Sequence, residues 1–435
     1  MNPSLNREGI QSRSHKCLET PEETITKTDA GNAKTLRTSG IIAVPTPKPE
    51  DRKHMLRILF SIALIGISNC VLAQQQLTEN WELQLENQAL PQSICADQRN
   101  PNVFYACLKK GGLGIYRLSG PKRDSPIQIA RVTTNQLGGL DVMDAVVRKD
   151  SIFLALGDLF KRSGYAGLAV LSVKDPAKPK LLSMWKSEQA LEGSAVVRVK
   201  SNLAFMGMMK HGVTVFDISN PNQIRKLSTI LPDVNFPKKN PGRIQHPNAR
   251  GMHVERNYLY VAYDAGGLRV VDISNPKRPT EVARYINRAM IGKQQAYNNI
   301  VVDKGIAYIG VDYAGVEILD VRNPRAPKQI GWWNPWDADT LKNLWFNSPG
   351  HINQVKLDPK NKLLYVSAGD SELQVLNVAN PKQPRLVARV GEPKNKRGVW
   401  GLALTKDSVL LTYIRAVVPF QGHWTGIKSV ARVRN

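Results

Sequence analysis

The sequence predicts an all-β fold: a seven-bladed β-propeller of four-stranded antiparallel blades, closed by pairing of an N-terminal strand in the last blade. Three observations predict it. A ten-residue phrase ending in Asn-Pro recurs seven times with decay, at intervals of 55, 45, 55, 48, 57 and 54 residues. Each phrase sits among further short runs of aliphatic and β-branched residues, so that roughly 50 residues hold four strands, the content of one propeller blade. The last copy stops after its third strand, and an orphan strand, Trp81 to Leu85, precedes the first blade.

The copies begin at Gly112, Gly167, Gly212, Gly267, Gly315, Glu372 and Gly426, and the best preserved end at Pro221, Pro276 and Pro324. The leading glycine permits a tight turn into the strand. The apolar run that follows is the third strand of its blade. Asp217, Asp272 and Asp320 stand where a carboxylate can accept hydrogen bonds from the turn's N–H groups. Arg117 and Ser172 replace that Asp in the first two copies, which predicts differently built turns there. Proline then stops the strand, because it has no N–H to continue a ladder and biases the preceding Asn towards an extended shape. Ahead of the phrase, segments such as Met252 to Ala262 and Ile300 to Ile309 read as two strands around a turn. After it, a segment such as Pro279 to Tyr285 supplies the fourth. These strands are apolar almost throughout, as expected of sheets covered on both faces. A right-handed β-helix is the competing repeat fold, but its turns are much shorter than this period. Pairing Trp81 to Leu85 with the final segment, Val430 to Val433, closes the ring and removes an exposed edge.

The phrase Gly-Leu-x-Val-x-Asp-Ile-Ser-Asn-Pro-x-x-Pro resembles the LVIVD repeat of exported bacterial proteins. The resemblance implies a propeller and carries no catalytic residues with it.

Residues Met55 to Ala73 have the layout of a secretory signal peptide: Arg57, an apolar stretch from Ile58 to Ile67, and Val71-Leu72-Ala73 before Gln74. Asn69 stands where a small residue would precede a lipidated cysteine, which disfavours lipidation of Cys70. The polar residues 1–54 read either as a cytoplasmic tail before a signal anchor or as sequence upstream of a true start at Met55, the latter being favoured. The expected organisation is an upstream segment 1–54, a signal peptide 55–73 and a propeller 74–435, periplasmic or secreted. No apolar run reaches the roughly 20 residues of a spanning helix, so no stable membrane insertion is expected after processing.

Sixty Lys and Arg against thirty-six Asp and Glu give a net charge of +24. Ten of the basic and seven of the acidic residues fall in 1–73, so the remainder carries +21. Such a surface favours anionic partners, although scattered charge also serves solubility alone. Export disfavours nucleic acid as that partner. Four cysteines are too few for a disulfide scaffold and lack paired CxxC spacing. Reading 95–107 as the first two strands of blade one places Cys95 opposite Cys107, which predicts a cross-strand disulfide in an oxidising compartment.

Alignment of the inner strands puts Ser93, Asp144, Ala195, Arg250, Asn298, Asn353 and Gly401 at equivalent places around the central channel. Two incoming loops are long: 229–250, with Lys238, Lys239, Arg243, His246 and Arg250, and 332–351, with Trp332, Trp333, Trp336, Trp345 and His351. With Trp400, Arg415, His423 and Trp424 they give one face aromatic platforms mixed with cations, which suits a carboxylate-bearing sugar polymer or a peptide. The expected ligand-binding set is Asp144, Arg250, His253, Asn298, His351, Asn353, Trp400, His423 and Trp424. The bland alternative has the tryptophans plugging loops against the propeller body, and Trp332 and Trp333, directly after an outer strand, fit it best. No metal or cofactor is expected: histidines 246, 253, 351 and 423 show no ligand spacing, and no GxSxG, HExxH, P-loop or Rossmann fingerprint stands in a fitting context. Asp141 and Asp144, three apart on one strand, point to opposite faces and make a poor glycosidase pair.

The function expected is that of a non-catalytic binding or scaffold propeller engaging an anionic glycan or an envelope protein. The alternatives are a polysaccharide-acting enzyme drawing on Asp144, Arg250, His253 or His351, and an adhesive module whose charge is only for solubility. N-terminal sequencing of the exported protein checks the compartment: a start at Gln74 is expected, and a start within residues 1–54 contradicts it.

Overall fold

The computed structural model describes residues 74–433, apart from 87–88, 123, 158–163, 237–246, 341–349, 370, 392–396 and 415–423. The upstream segment and the signal peptide lie outside the described residues, as do Lys238, Lys239, Arg243, His246, Trp345, Arg415 and His423.

Seven four-stranded antiparallel sheets follow one another along the chain, and the repeated phrase forms the third strand of each, from Leu113–Ser119 in blade one to Gly426–Ala431 in blade seven. The inner strands are Ser93–Ala96, Val142–Arg148, Val196–Lys200, Gly251–Glu255, Ala296–Asp303, Gln354–Asp358 and Val399–Leu404. Each lies against the next, and the seventh lies against the first, so the ring is closed.

Blades cohere because none can bury its own apolar faces. The buried side chains sort into seven clusters, one between each adjacent pair of blades. Between blades seven and one, Trp81 stacks on Phe104 with ring centroids 5.8 Å apart, and Phe104 stacks on Tyr116 at 5.1 Å. Each aliphatic or aromatic side chain fully buried at such a joint contributes about 1.5–3 kcal/mol.

Glu79–Gln84 completes blade seven as its outer strand, antiparallel to Gly426–Ala431, with Trp81 opposite Ser429 and Glu82 opposite Lys428. The Lys428 ammonium lies 2.7 Å from Glu79 Oε2 and 2.9 Å from Glu82 Oε1, tying the first strand to the last repeat. A second, shorter anchor was not legible in the sequence. Gln75–Gln76 pairs in parallel with the outer strand of blade six, and Leu77 is buried between blades six and seven. Two residues are too few to show any periodicity.

The turn chemistry follows the phrase. Asp217, Asp272 and Asp320 each accept the N–H two residues on, at 2.9–3.0 Å, and Asn377 does the same at 2.9 Å. The Asn of each Asn-Pro then repeats the device, as Asn275 accepts the Lys277 N–H at 3.1 Å. Two Asx turns in succession leave no room for another residue of strand. In blade two, Asp175 takes the Asn role, accepting the Ala177 N–H at 3.0 Å.

The expected disulfide is corrected by the register. Ser93 stands opposite Cys107 and Cys95 opposite Tyr105, so the two cysteines are diagonal neighbours, and both are free thiols. A diagonal pair is too far apart for the roughly 3.5–4.5 Å that bonded Cβ atoms need. Alkylation of unfolded, unreduced mature protein is therefore expected to count two thiols, and a count of zero contradicts this register.

A candidate site in the central channel

Strand pairing fixes which inner-strand residues are equivalent. The residues paired, through the second strand, with Leu113, Leu168, Val213, Leu268, Val316, Leu373 and Ile427 are Ser93, Asp144, Val196, Gly251, Asn299, Gln354 and Gly401. The alignment made from sequence is therefore one residue early in blades three to six. A slip of one exchanges the two faces of a strand. Bulges between Val142 and Asp144, Tyr297 and Asn299, and Val399 and Gly401 interrupt the inner strands of blades two, five and seven, a different set from the slipped blades, so they do not account for the slip.

This layer of the channel has a structural task. The inner edge of each blade carries N–H groups with no further strand to bond them. Asp144 Oδ2 accepts the Val197 N–H at 3.1 Å, Asn299 Oδ1 accepts the Val355 N–H at 3.3 Å, and Gln354 Oε1 accepts the Leu402 N–H at 3.1 Å. In each case a side chain of one blade satisfies the edge of the next. Asp144, 6% exposed, also accepts from Ser93 Oγ at 2.7 Å and from the Arg198 guanidinium at 2.8 Å, so it joins blades one, two and three. Arg198 goes on to donate to the carbonyls of Val197 at 2.6 Å and Met252 at 3.0 Å, reaching blade four.

Two residues further along, the layer reads Cys95, Val146, Arg198, His253, Val301, Lys356 and Ala403. Five of these, Cys95, Val146, Arg198, Lys356 and Ala403, line a cavity of about 580 Å3. It runs from Ser93 and Asp144 to the turns that follow the inner strands, ending among the exposed Gln98, Pro101 and Lys406. Burial and the neighbouring Arg198 pull the Lys356 ammonium down to about 8, while Asp144 opposes them. Burial and the charges of Arg198, Lys356 and Lys200 pull His253 down to about 4. Burial pushes the Cys95 thiol well up, so it is not a ready nucleophile.

At the other end the channel narrows to about 40 Å3, lined by Asp144, Arg250, Asn298, Asn353 and Trp400 of the expected set, together with Gln92, Arg198, Asn299 and Gln354. Beside it, His351 shares a 2.7 Å hydrogen bond between Nδ1 and the Tyr313 hydroxyl, lies 2.9 Å from Asp312 Oδ1, and is tilted against the Trp400 ring at 5.6 Å. Burial raises Asp264 to about 6, opposed by Arg250 and by Asn248, and raises Asp312, opposed by His351 and Arg250. His253 lines neither this mouth nor the wide cavity. Among the described residues no group of three His, Cys, Asp or Glu is arranged to hold a metal ion, and no helix is long and apolar enough to cross a membrane.

The aromatic platform is largely packed away. Trp332 donates its indole N–H to the Ala314 carbonyl at 2.7 Å, Trp333 is 9% exposed, and Trp336 meets it edge-on at 5.3 Å. Trp424 sits edge-on to Tyr413 at 5.0 Å, with Arg397 5.3 Å over its ring, against the core between blades six and seven. Of the described tryptophans in the expected set, Trp400 alone reaches the channel mouth. Reading the sequence missed Arg198 and Lys356. Their signal was a long cation set in an otherwise apolar inner strand, Val196-Val197-Arg198-Val199 and Val355-Lys356-Leu357.

These features define a β-propeller repeat protein with a polar-lined channel. The chain carries LVIVD repeats: the model of that repeat matches residues 193–225 and 248–287, within blades three and four. Similar solved structures include the WD40 repeats of RRP9, at 11% identity over 82% of this chain and 100% of that one, with a TM-score of 0.57. A chain of a mitotic checkpoint complex is similar at 10% identity over 92% and 99%, with a TM-score of 0.57. U3-55K is similar at 11% identity over 81% and 98%, with a TM-score of 0.55. At these identities the likeness is one of fold. No curated protein matches the chain.

Asp144→Ala is expected to cost about 3 kcal/mol in urea unfolding, because it leaves a largely buried Arg198 uncompensated and the Val197 N–H unbonded. Asp144→Asn, which keeps an acceptor, is expected to cost less. A loss below about 1 kcal/mol for the alanine variant would show that the carboxylate does not join the blades.

Proposed function

We propose that this chain is an exported, non-catalytic binding or scaffold propeller that engages an anionic polymer through the face where inner strands end. One observation carries the reading. On that face, turns from first to second strands expose Lys149, Lys304, Lys362 and Lys406, and turns from third to fourth strands expose Lys178, Lys277, Arg278 and Lys382. Several acids on the same face are already engaged. Asp217 and Asp320 hold their own turns and pair with Arg225 and Arg322, Asp97 pairs with Arg99, and Asp358 with Arg432. These acids are thus held by their partners while the lysines face solvent, with Asp150 and Asp407 exposed beside Lys149 and Lys406.

The tryptophans packed into the opposite face shift the support from stacking to charge, and from the incoming loops to the strand-end turns. An acidic envelope protein offers the same complementarity in a different form. A polysaccharide-acting enzyme at the narrow channel mouth finds less support, since about 40 Å3 has room for a water molecule and not for a sugar ring. Export rests on the signal-peptide layout of residues 55–73.

Retention on dextran sulfate beads, eluted with a salt gradient, tests the reading. Replacing Lys304, Lys362 and Lys406 with Gln is expected to lower the eluting salt concentration clearly. The same change at Lys110, Lys210 and Arg288, on the opposite face, is expected to lower it less. Equal shifts for the two triple variants contradict a binding face and leave only net charge.

A further inference from the structure

The wide part of the channel holds a cation with no ion-pair partner among the described residues. Lys356 projects from the inner strand of blade six onto the cavity wall and makes no hydrogen bond or ion pair among the described residues. Arg198, beside it, is different: Asp144 and the carbonyls of Val197 and Met252 occupy its guanidinium. A cation held largely out of water without a counter-ion is costly to the fold. Its natural complement is an anion brought from outside.

We propose that the cavity binds a small organic carboxylate with an apolar body, its carboxylate resting on the Lys356 ammonium. One unanswered cation matches a single negative charge, whereas a phosphate dianion would call for a second. The lining is mixed, with Ile94, Val146, Leu357 and Ala403 giving apolar surface beside Ser93, Asp97, Asp144, Arg198 and Thr405. The volume of about 580 Å3 falls in the usual range for sites that enclose a small molecule. Lys406 stands exposed at the open end, where its charge draws anions inwards. The remaining charged or titratable groups acting on Lys356 are Asp144 from blade two, Cys95 from blade one and Arg198 from blade three; His253 of blade four, itself acted on by Lys356, belongs to the same layer. Asp144 is bound to Arg198 and Cys95 stays a thiol, so neither takes the place of the ligand.

The site lies inside the ring and shares with the polymer-binding face Lys406, at its open end. Isothermal titration calorimetry with sodium hexanoate and with hexanamide, its neutral counterpart, tests it. The parent protein is expected to bind hexanoate at least ten-fold more tightly than hexanamide at pH 7. The hexanoate affinity is expected to fall as pH rises above about 8, where the free amine gives up its proton. Lys356→Met and Lys356→Gln are expected to lose at least ten-fold in hexanoate affinity. Lys356→Met should unfold at an unchanged or higher urea concentration, since it removes an unpaired cation at similar volume. Its retention on dextran sulfate should match that of the parent, so the two readings fail separately. Absence of hexanoate binding at millimolar concentration, equal binding of acid and amide, or undiminished affinity in a folded Lys356 variant would each overturn the assignment. If neither variant folds, the acid-to-amide ratio and the pH profile of the parent decide it.

Discussion

A sheet that is apolar on both faces cannot stand alone in water, and everything else in this molecule follows from that constraint. Each blade hides its faces only against two neighbours, which gives one core per joint and no core within a blade. A row of such blades would leave two wet apolar faces at its ends. The ring abolishes both, provided the last blade can be completed, and the chain completes it with Glu79–Gln84. Lys428, opposite Glu82, secures that pairing at the position where other blades carry Thr214, Arg269, Glu317 or Gln374. One variable position of the repeated phrase is thus used in blade seven to recognise the chain's own beginning.

Closing the ring creates a second constraint at its centre. Seven inner edges face the channel, and their N–H groups must find acceptors there. Asp144, Asn299 and Gln354 supply three of these from the same register layer, each reaching to the next blade. Polar groups at the channel wall are therefore required by the architecture before any ligand is considered. That separates the roles of neighbouring residues. Asp144 and Arg198 are joined to each other and to the backbone, whereas Lys356, in the layer below, serves no strand edge.

The repeat, the blade order, the Asx turns and the closing strand were legible in the sequence because each rests on local chemistry repeated several times. Asn-Pro can stop a strand wherever it occurs, and an unpaired apolar segment at one end answers a missing strand at the other. What was not legible depended on single-residue register. A slip of one residue in blades three to six put Ala195, Arg250, Asn298 and Asn353 in the places that belong to Val196, Gly251, Asn299 and Gln354. The same limit turned Cys95 and Cys107 from diagonal neighbours into an expected disulfide. Composition could not say whether tryptophans in long loops face outward, and Trp332, Trp333 and Trp424 pack inward because the ends of the inter-blade cores need covering. The basic face was hidden for another reason: its lysines are spread singly over many turns, and only the fold gathers them.

Native-state hydrogen exchange of Gly426–Ala431 tests most directly whether the beginning of the chain closes the ring. If it does, these amides belong to an interior strand bonded on both sides. They should then exchange only as fast as global unfolding allows, in step with those of Ser408–Tyr413 beside them. Exchange of the amides that face Glu79–Gln84 through rapid local opening, while Ser408–Tyr413 remains protected, would mean that blade seven ends in a free edge and that the ring is not held by its own terminus.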